Sequence, residues 1–360
     1  MYKYEEIYKF EHLYDAYRKT RRGKRNKKTT AKFEVNSLEA LIYLQYLLET
    51  KQYKMNEYNV FKIYEPKERV IMSNSFKDKV VQHSICDNIL RPIYEDKFIY
   101  DNYASQKGKG THFGLDRLSE NMREHYRKYG TEGWVLKCDI AKYFYSIDHD
   151  ILKEKLKRDI YDKDILNLLF EIIDSVPDPG LPLGNQTSQW FALIYLNDMD
   201  NYIKRNLRVK YYGRYMDDFY IIHKDKKYVQ YCLKEIEKQV AKVKLNLNNK
   251  TAIYPLKNGM DFLGFHTYLT DTGKVVRRLR RDSKTNMRRK LKTFKKKYDK
   301  GEIPLENIIL SYDSWKGHAS HGNCYYLTRD MDELFDSLFK EAIEKESKER
   351  NDIEHGQNIK

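Results

Sequence analysis

Two adjacent carboxylates, Asp217 and Asp218, stand between two runs rich in aromatic and β-branched residues. Upstream lies Val209-Lys210-Tyr211-Tyr212-Gly213-Arg214, and downstream Phe219-Tyr220-Ile221-Ile222-His223. Runs of this kind favour strands, so Tyr215-Met216-Asp217-Asp218 is expected at the tip of a β-hairpin. Two carboxylates at a tip repel each other, and a hard divalent cation, which prefers oxygen ligands, relieves that repulsion. An exposed acidic turn is the simpler alternative, since Asp is common in turns. A second segment shifts the balance. Trp134-Val135-Leu136-Lys137-Cys138-Asp139-Ile140 is a mostly hydrophobic run, expected as a buried strand that delivers Asp139 at its C-terminal end. Transfer of a nucleotidyl group uses two metals about 4 Å apart to clamp the attacking and leaving oxygens. Asp139, Asp217 and Asp218 supply carboxylates for that task.

Several segments in a fixed order extend this pattern. They are Asp139 to Asp148 (DIAKYFYSID), Gly180 to Gln189 (GLPLGNQTSQ), Tyr215 to Asp218, Leu247-Asn248-Asn249-Lys250-Thr251 and Phe262-Leu263-Gly264-Phe265. From about Tyr53 to Tyr326 the chain resembles a bacterial reverse transcriptase. The form Leu-Pro-Leu-Gly-Asn-Gln-Thr-Ser-Gln is similar to enzymes of diversity-generating retroelements and related anti-phage defence reverse transcriptases. The resemblance implies an α+β right-hand polymerase fold of fingers, palm and thumb, with an antiparallel palm sheet and a helical thumb. It implies Mg²⁺ as cofactor, with Mn²⁺ as an alternative, held by Asp139, Asp217 and Asp218 with Ile140 counted among the metal contacts. Asp148 and Asp150 are expected to cap the following helix instead.

The same resemblance assigns nucleotide-binding positions. Lys67 and Arg69 would face the triphosphate, although pairing with Glu65 or Glu68 on the surface is the plainer role. Phe144, five residues after Asp139, would be a steric gate against a ribose 2′-hydroxyl, or else a core aromatic. Leu183, Gly184, Asn185 and Gln189 would shape the nucleotide pocket, and Lys250 would protonate the leaving pyrophosphate. Tyr215 and Met216 would touch nucleic acid. Gln106-Lys107-Gly108-Lys109-Gly110 resembles a basic, glycine-containing segment whose backbone can approach phosphate. Leu183 stands where many retroviral polymerases have Gln. Without that polar group, discrimination between bases should weaken, so low-fidelity copying is expected, especially opposite adenine.

Charge agrees with a nucleic-acid partner. The net charge is +15, and it is concentrated. Lys19 to Lys28 holds seven basic residues and no acidic one, and Lys274 to Lys297 holds thirteen against Asp282 alone. Together these exceed the whole net charge, leaving the rest slightly acidic. Such patches suit phosphate backbones, though either alone could be a solvated face. Within the second patch Met287, Leu291, Phe294 and Tyr298 recur at helical spacing, giving an apolar stripe beside a basic face. Arg277, Arg278, Arg280, Arg281, Arg288 and Arg289 are the expected template–primer contacts.

The organisation is read as 1–130 fingers, 131–274 palm with a helical insert near 151–174, 275–345 thumb and 346–360 polar tail. Ser37 is expected to cap a helix to about Leu48 with Leu38, Leu41, Ile42 and Leu48 on one side. Tyr58 to Ile71 reads as a strand pair broken at Pro66-Lys67-Glu68. Phe76 to Leu90 reads as helix, and Leu115, Leu118 and Met122 mark another that stops near Gly130. His318, His321 and Cys324 lack a fourth zinc ligand nearby, so packing is expected of them. Four cysteines without paired spacing suit a reducing cytoplasm. There is no signal-peptide pattern and no run long enough to span a membrane. The expected partners are template RNA, a primer, dNTPs, a dedicated non-coding RNA and a small basic accessory protein, with no membrane. The chain is short for an added maturase, protease or RNase H region. A defence polymerase using a companion RNA and a non-catalytic RNA-binding scaffold are the alternative functions.

Overall fold

The structure, a computed structural model, describes residues 2–64 and 68–357, with side chains through residue 346. Among the described residues nine strands form three sheets. Strands β1 (Asn59–Ile63) and β2 (Arg69–Ser73) pair antiparallel in register Asn59 to Ser73. A four-stranded sheet follows the order β4-β5-β3-β6, from β3 (Trp134–Asp139), β4 (Tyr211–Tyr215), β5 (Asp218–His223) and β6 (Ala252–Pro255). Strands β7 (Met260–Phe262), β8 (Phe265–Leu269) and β9 (Val275–Leu279) make the third.

The chain divides into two compact units, residues 1–117 with 134–253, and residues 118–133 with 254–360. The first is built on the β3–β5 core. Because β3 and β5 are covered on both faces, they read as apolar runs rather than alternating ones. Val135, Leu136, Cys138, Phe219, Tyr220, Ile221 and Ile222 are all buried. Helix Gln186–Tyr195 is buried along most of its length, with Trp190 through Tyr195 inaccessible or nearly so. Helix His149–Lys157 starts where Asp148 accepts a hydrogen bond from the Ile151 N–H at 3.0 Å, so the expected cap is present.

Other expectations are refined. The helix over 37–49 begins at Ser37 itself, and Asn36 precedes it without a side-chain cap. Its buried stripe is Leu41, Leu44 and Leu48, whereas Leu38 and Ile42 are exposed together with Tyr43 and Tyr46. With 3.6 residues per turn, Leu38 and Ile42 fall beside that stripe rather than on it. The segment 76–90 is helical to Ile85, then widens into a π-helical turn over Cys86–Leu90. Helix Thr111–Tyr129 buries Leu115, Leu118 and Met122 and ends at Gly130, whose φ of +63° is the usual left-handed helix stop.

In the second unit, helix Arg281–Asp299 buries Met287 and Leu291 and partly buries Phe294 and Tyr298, as the spacing predicts. Helices Leu305–Ala319 and Tyr325–Gln357 supply Ile308, Tyr312, Trp315, Met331, Phe335 and Phe339 to this core. The polar C-terminal segment continues as backbone helix to Gln357, in keeping with the helix propensity of Glu, Lys and Arg. His318 packs its ring on Phe265 with centroids 4.8 Å apart, and the Gly264 position leaves only 3.0 Å between a would-be Cβ and His318 Nε2. Among the described residues no three His, Cys, Asp or Glu side chains gather as a metal cluster. Nor is any described helix long and apolar enough to cross a membrane.

Candidate active site

Strand β3 runs antiparallel to β5 with Asp139 opposite Asp218, and β5 runs antiparallel to β4 with Tyr215 opposite Asp218. Met216 and Asp217 form the two-residue connection, and Met216 takes φ +55°. A left-handed residue lets a two-residue turn follow the twist of its strands. The turn is tied to β3 by the Ile140 N–H, which donates to the Asp217 carbonyl at 3.1 Å. Asp139 is held from the other side by Asn248, whose N–H donates to the Asp139 carbonyl at 2.7 Å and whose Nδ2 donates to Oδ2 at 3.1 Å.

These ties bring Asp139 and Asp217 together. Burial, followed by the neighbouring Asp139 charge, raises the Asp217 carboxyl above the ordinary carboxylate range. Asp218 behaves differently. Its carboxylate pairs with Lys137, which lies two residues before Asp139 and on the same face of β3. The three carboxylates thus split into a facing pair and an ion-paired third. Two oxygen-donor side chains brought together in this way fit a hard divalent cation well. Asp139 and Asp217 would hold it, and Asp218 would join them only by exchanging its lysine.

The expected nucleotide-pocket residues are partly assembled. The Met72 N–H on β2 donates to the Leu183 carbonyl at 3.1 Å, and Gly184 lies against Ile71 and Met72 with φ +113°. Leu181 N–H donates to the Phe144 carbonyl at 2.7 Å, which joins the 143–145 turn to the same loop. Phe144 is partly buried against the core and packs edge-on to Tyr143, so it is half packing residue and half surface. Arg69 opens β2 and is exposed, and Lys67 lies outside the described residues. Asn185 is buried and donates to Tyr58 Oη at 3.0 Å, leaving its Oδ1 without a hydrogen bond. Gln189 accepts from Ser105 at 3.4 Å. Lys250 is exposed, beside the Asn248 that braces Asp139. The Lys109 amine is folded back onto the carbonyls of Tyr100 and Asn102 and onto Gln106, and Lys107 is exposed.

On the second unit Arg278, Arg281, Arg288 and Arg289 are exposed. Arg280 pairs with Asp261 and Asp282. Arg277 is spent on structure. Its guanidinium donates to the His321 carbonyl at 3.0 Å and to Ser119 at 2.8 Å.

Sequence reasoning missed Lys137, Asn248 and Arg214 as site residues. Lys137 was findable from its i, i+2 relation to Asp139 on one strand. Asn248 sat in a recognised motif with no role attached.

A strand-end carboxylate thus faces a hairpin carboxylate over an antiparallel sheet. The sequence model of the family "Reverse transcriptase (RNA-dependent DNA polymerase)" matches residues 61–267. The chain belongs to the reverse transcriptase family, and with it to the right-hand polymerase fold. Protein YkfC of Escherichia coli (strain K12) is 24% identical over 233 residues, covering 53% of this chain and 60% of that protein. A putative COX1/OXI3 intron 1 protein of Saccharomyces cerevisiae is 25% identical over 179 residues, covering 46% of this chain and 20% of its own length. Telomerase from Candida albicans, solved in complex with a fragment of telomeric RNA, superposes with a TM-score of 0.47 at 14% identity, over 72% of this chain and 55% of that one.

Proposed function

We propose that this chain is an RNA-directed DNA polymerase that extends a primer on an RNA template with low fidelity, as in a diversity-generating retroelement. The observation that carries the catalytic part is the facing Asp139–Asp217 pair, fixed by Asn248 on one side and the Ile140 N–H on the other. A bound divalent cation supplies charge neutralisation and activation of the attacking hydroxyl. The residues do the rest. Asp139 and Asp217 hold their carboxylates toward each other at the end of β3 and the tip of the hairpin. Lys137 pairs with Asp218 beside them. Phe144, carried on a turn joined to the 180–185 loop, limits the space beside the sugar. Leu183 offers an apolar side chain where a polar contact to the incoming base would sharpen selection. Exposed Arg281, Arg288 and Arg289 give helix Arg281–Asp299 a basic face for a phosphate backbone. In this reading residues 1–130 are fingers, 131–274 palm and 275–345 thumb. Template RNA, primer and dNTPs are the substrates, and a dedicated non-coding RNA and a small basic protein are the accessory partners.

The test is Mg²⁺-dependent primer extension on a defined RNA template, with products sequenced and the Asp217→Asn variant as control. Extension by the wild type alone, with errors concentrated at template adenines, supports the whole proposal. Accurate or template-independent products would replace the mutagenic reading with that of a defence polymerase working from a companion RNA. Equal extension by Asp217→Asn would overturn the site assignment.

A further inference from the structure

A buried ion pair lies directly behind the catalytic turn. Arg214 and Asp200 are both fully inaccessible to solvent. Arg214 Nε donates to Asp200 Oδ1 at 2.7 Å and Nη2 donates to Oδ2 at 2.5 Å, a bidentate fork. Tyr212 Oη donates to the same Oδ1 at 2.5 Å, and Asn102 Nδ2 reaches Oδ2 at 3.4 Å. The remaining arm of the guanidinium is aimed elsewhere. Nη1 donates to the Met216 carbonyl at 2.8 Å, and the next residue is Asp217.

We propose that Arg214 is a positioning residue: the Asp200–Arg214 pair grips the Met216 carbonyl and thereby sets the reach of the Asp217 carboxylate toward Asp139. Three observations support this. First, the turn it grips is one that resists being formed, because Met216 is left-handed and carries a long side chain. Second, the turn is held at two successive carbonyls, Met216 by Arg214 and Asp217 by the Ile140 N–H, so the peptide that carries the carboxylate is fixed at both ends. Third, the Arg214 backbone is itself clamped. Its N–H donates to the Asp101 carbonyl at 3.0 Å, and its carbonyl accepts from the Tyr103 N–H at 2.9 Å. A buried ion pair is a poor device for stability alone, since apolar residues of similar volume commonly do as well or better. What apolar residues cannot do is donate to Met216. Lysine cannot replace the fork either, because one compact ammonium cannot satisfy Asp200 and the Met216 carbonyl in the same planar geometry.

The inference rests on the polymerase reading of the carboxylate pair, so the experiment separates the two. Mn²⁺ binding to the full chain is measured by electron paramagnetic resonance, with thermal unfolding and primer extension alongside. The proteins are wild type, Asp217→Asn, Arg214→Lys, and a double variant Asp200→Leu with Arg214→Met. Wild type that neither binds Mn²⁺ at a site lost in Asp217→Asn nor extends a primer overturns the polymerase reading and this inference with it. Given wild-type binding, the expected result is that folded Arg214→Lys binds Mn²⁺ about 10–100-fold more weakly, the usual scale for losing a group that orients a ligand. Its kcat should fall while template–primer affinity stays put, and excess Mn²⁺ should restore part of the rate. If Arg214→Lys does not fold, the double variant decides, with the same loss expected. Either variant, folded and with wild-type Mn²⁺ affinity, overturns the positioning role. Failure of both to fold also overturns it, by making the pair a requirement of the fold rather than of the turn.

Discussion

Gly213 lies in β4 where the fully buried Tyr103 ring passes against the strand, and replacing it by Ala should be costly. An added Cβ would sit 2.1 Å from the Tyr103 hydroxyl oxygen and 2.7 Å from Cε2 and Cζ. Comfortable contact needs about 3.5 Å, so the ring must withdraw by about 1 Å. Withdrawal strains the Tyr103 hydroxyl contacts with Tyr220 Oη, at 3.1 Å, and with Asp101 Oδ1, at 3.3 Å. Overpacking costs about 1–3 kcal/mol and each broken hydrogen bond about 1 kcal/mol. Against this, Ala restricts the unfolded chain and returns about 0.4–1 kcal/mol. The net loss should be about 3 kcal/mol, a large share of the roughly 5–15 kcal/mol that holds a typical fold together. The assay is a double-mutant cycle by urea unfolding, followed by circular dichroism, of wild type, Gly213→Ala, Tyr103→Ala and the pair. With the ring removed, Gly213→Ala should be neutral or slightly stabilising, giving a coupling of about 3 kcal/mol. A single Gly213→Ala within about 1 kcal/mol of wild type, or an equal loss in both backgrounds, would refute the packing argument.

Asp217→Asn should stabilise the metal-free protein, because the native Asp217 carboxyl titrates above its unfolded value through burial and Asp139. The wild type therefore loses stability as pH rises from the ordinary carboxylate range through the raised native value. The gap to Asp217→Asn should be small below about pH 4, the ordinary carboxylate value, and grow toward neutrality, as read from melting temperature against pH. Arg288→Ala with Arg289→Ala should lower the salt dependence of RNA binding by about one log–log slope unit for each phosphate no longer neutralised, and leave melting unchanged. Arg277→Ala should do the reverse, lowering the melting temperature with the salt slope intact, because its guanidinium already serves His321 and Ser119. Phe144→Val should raise incorporation of ribonucleotides by about tenfold relative to deoxynucleotides in primer extension, the scale on which pocket shape discriminates. An unchanged ratio would return Phe144 to packing alone.

The parts legible in the sequence share a short range. The hairpin at Tyr215–Asp218, the strand ending in Asp139 and the stripe of Met287 and Leu291 follow from local propensity and period, and all three are present. The parts that were not legible depend on which face meets what. Helix Ser37–Glu49 is apolar over most of its surface, so periodicity alone could not say that Leu44 would be covered and Leu38 and Ile42 left exposed. Asp218 reads as a metal ligand by adjacency to Asp217, but its ion pair with Lys137 is not visible from that adjacency. Arg214 and Asp200 each look like surface charges until the fold buries both. Asn248 is tied to Asp139 across 109 residues of chain, a separation over which no local pattern carries information.

All four cysteines are buried: Cys86, Cys138 and Cys232 in the first compact unit and Cys324 in the second. Burial pushes the Cys232 thiol up to about 11 and that of Cys138, next to Asp139, up to about 12. A buried thiol is nearly inert to alkylation until its surroundings open. The chain therefore carries a built-in stopwatch for each compact unit. Intact-mass counting during alkylation distinguishes three modifications from one, so the order and speed with which the two units each unfold can be timed separately without attaching a probe.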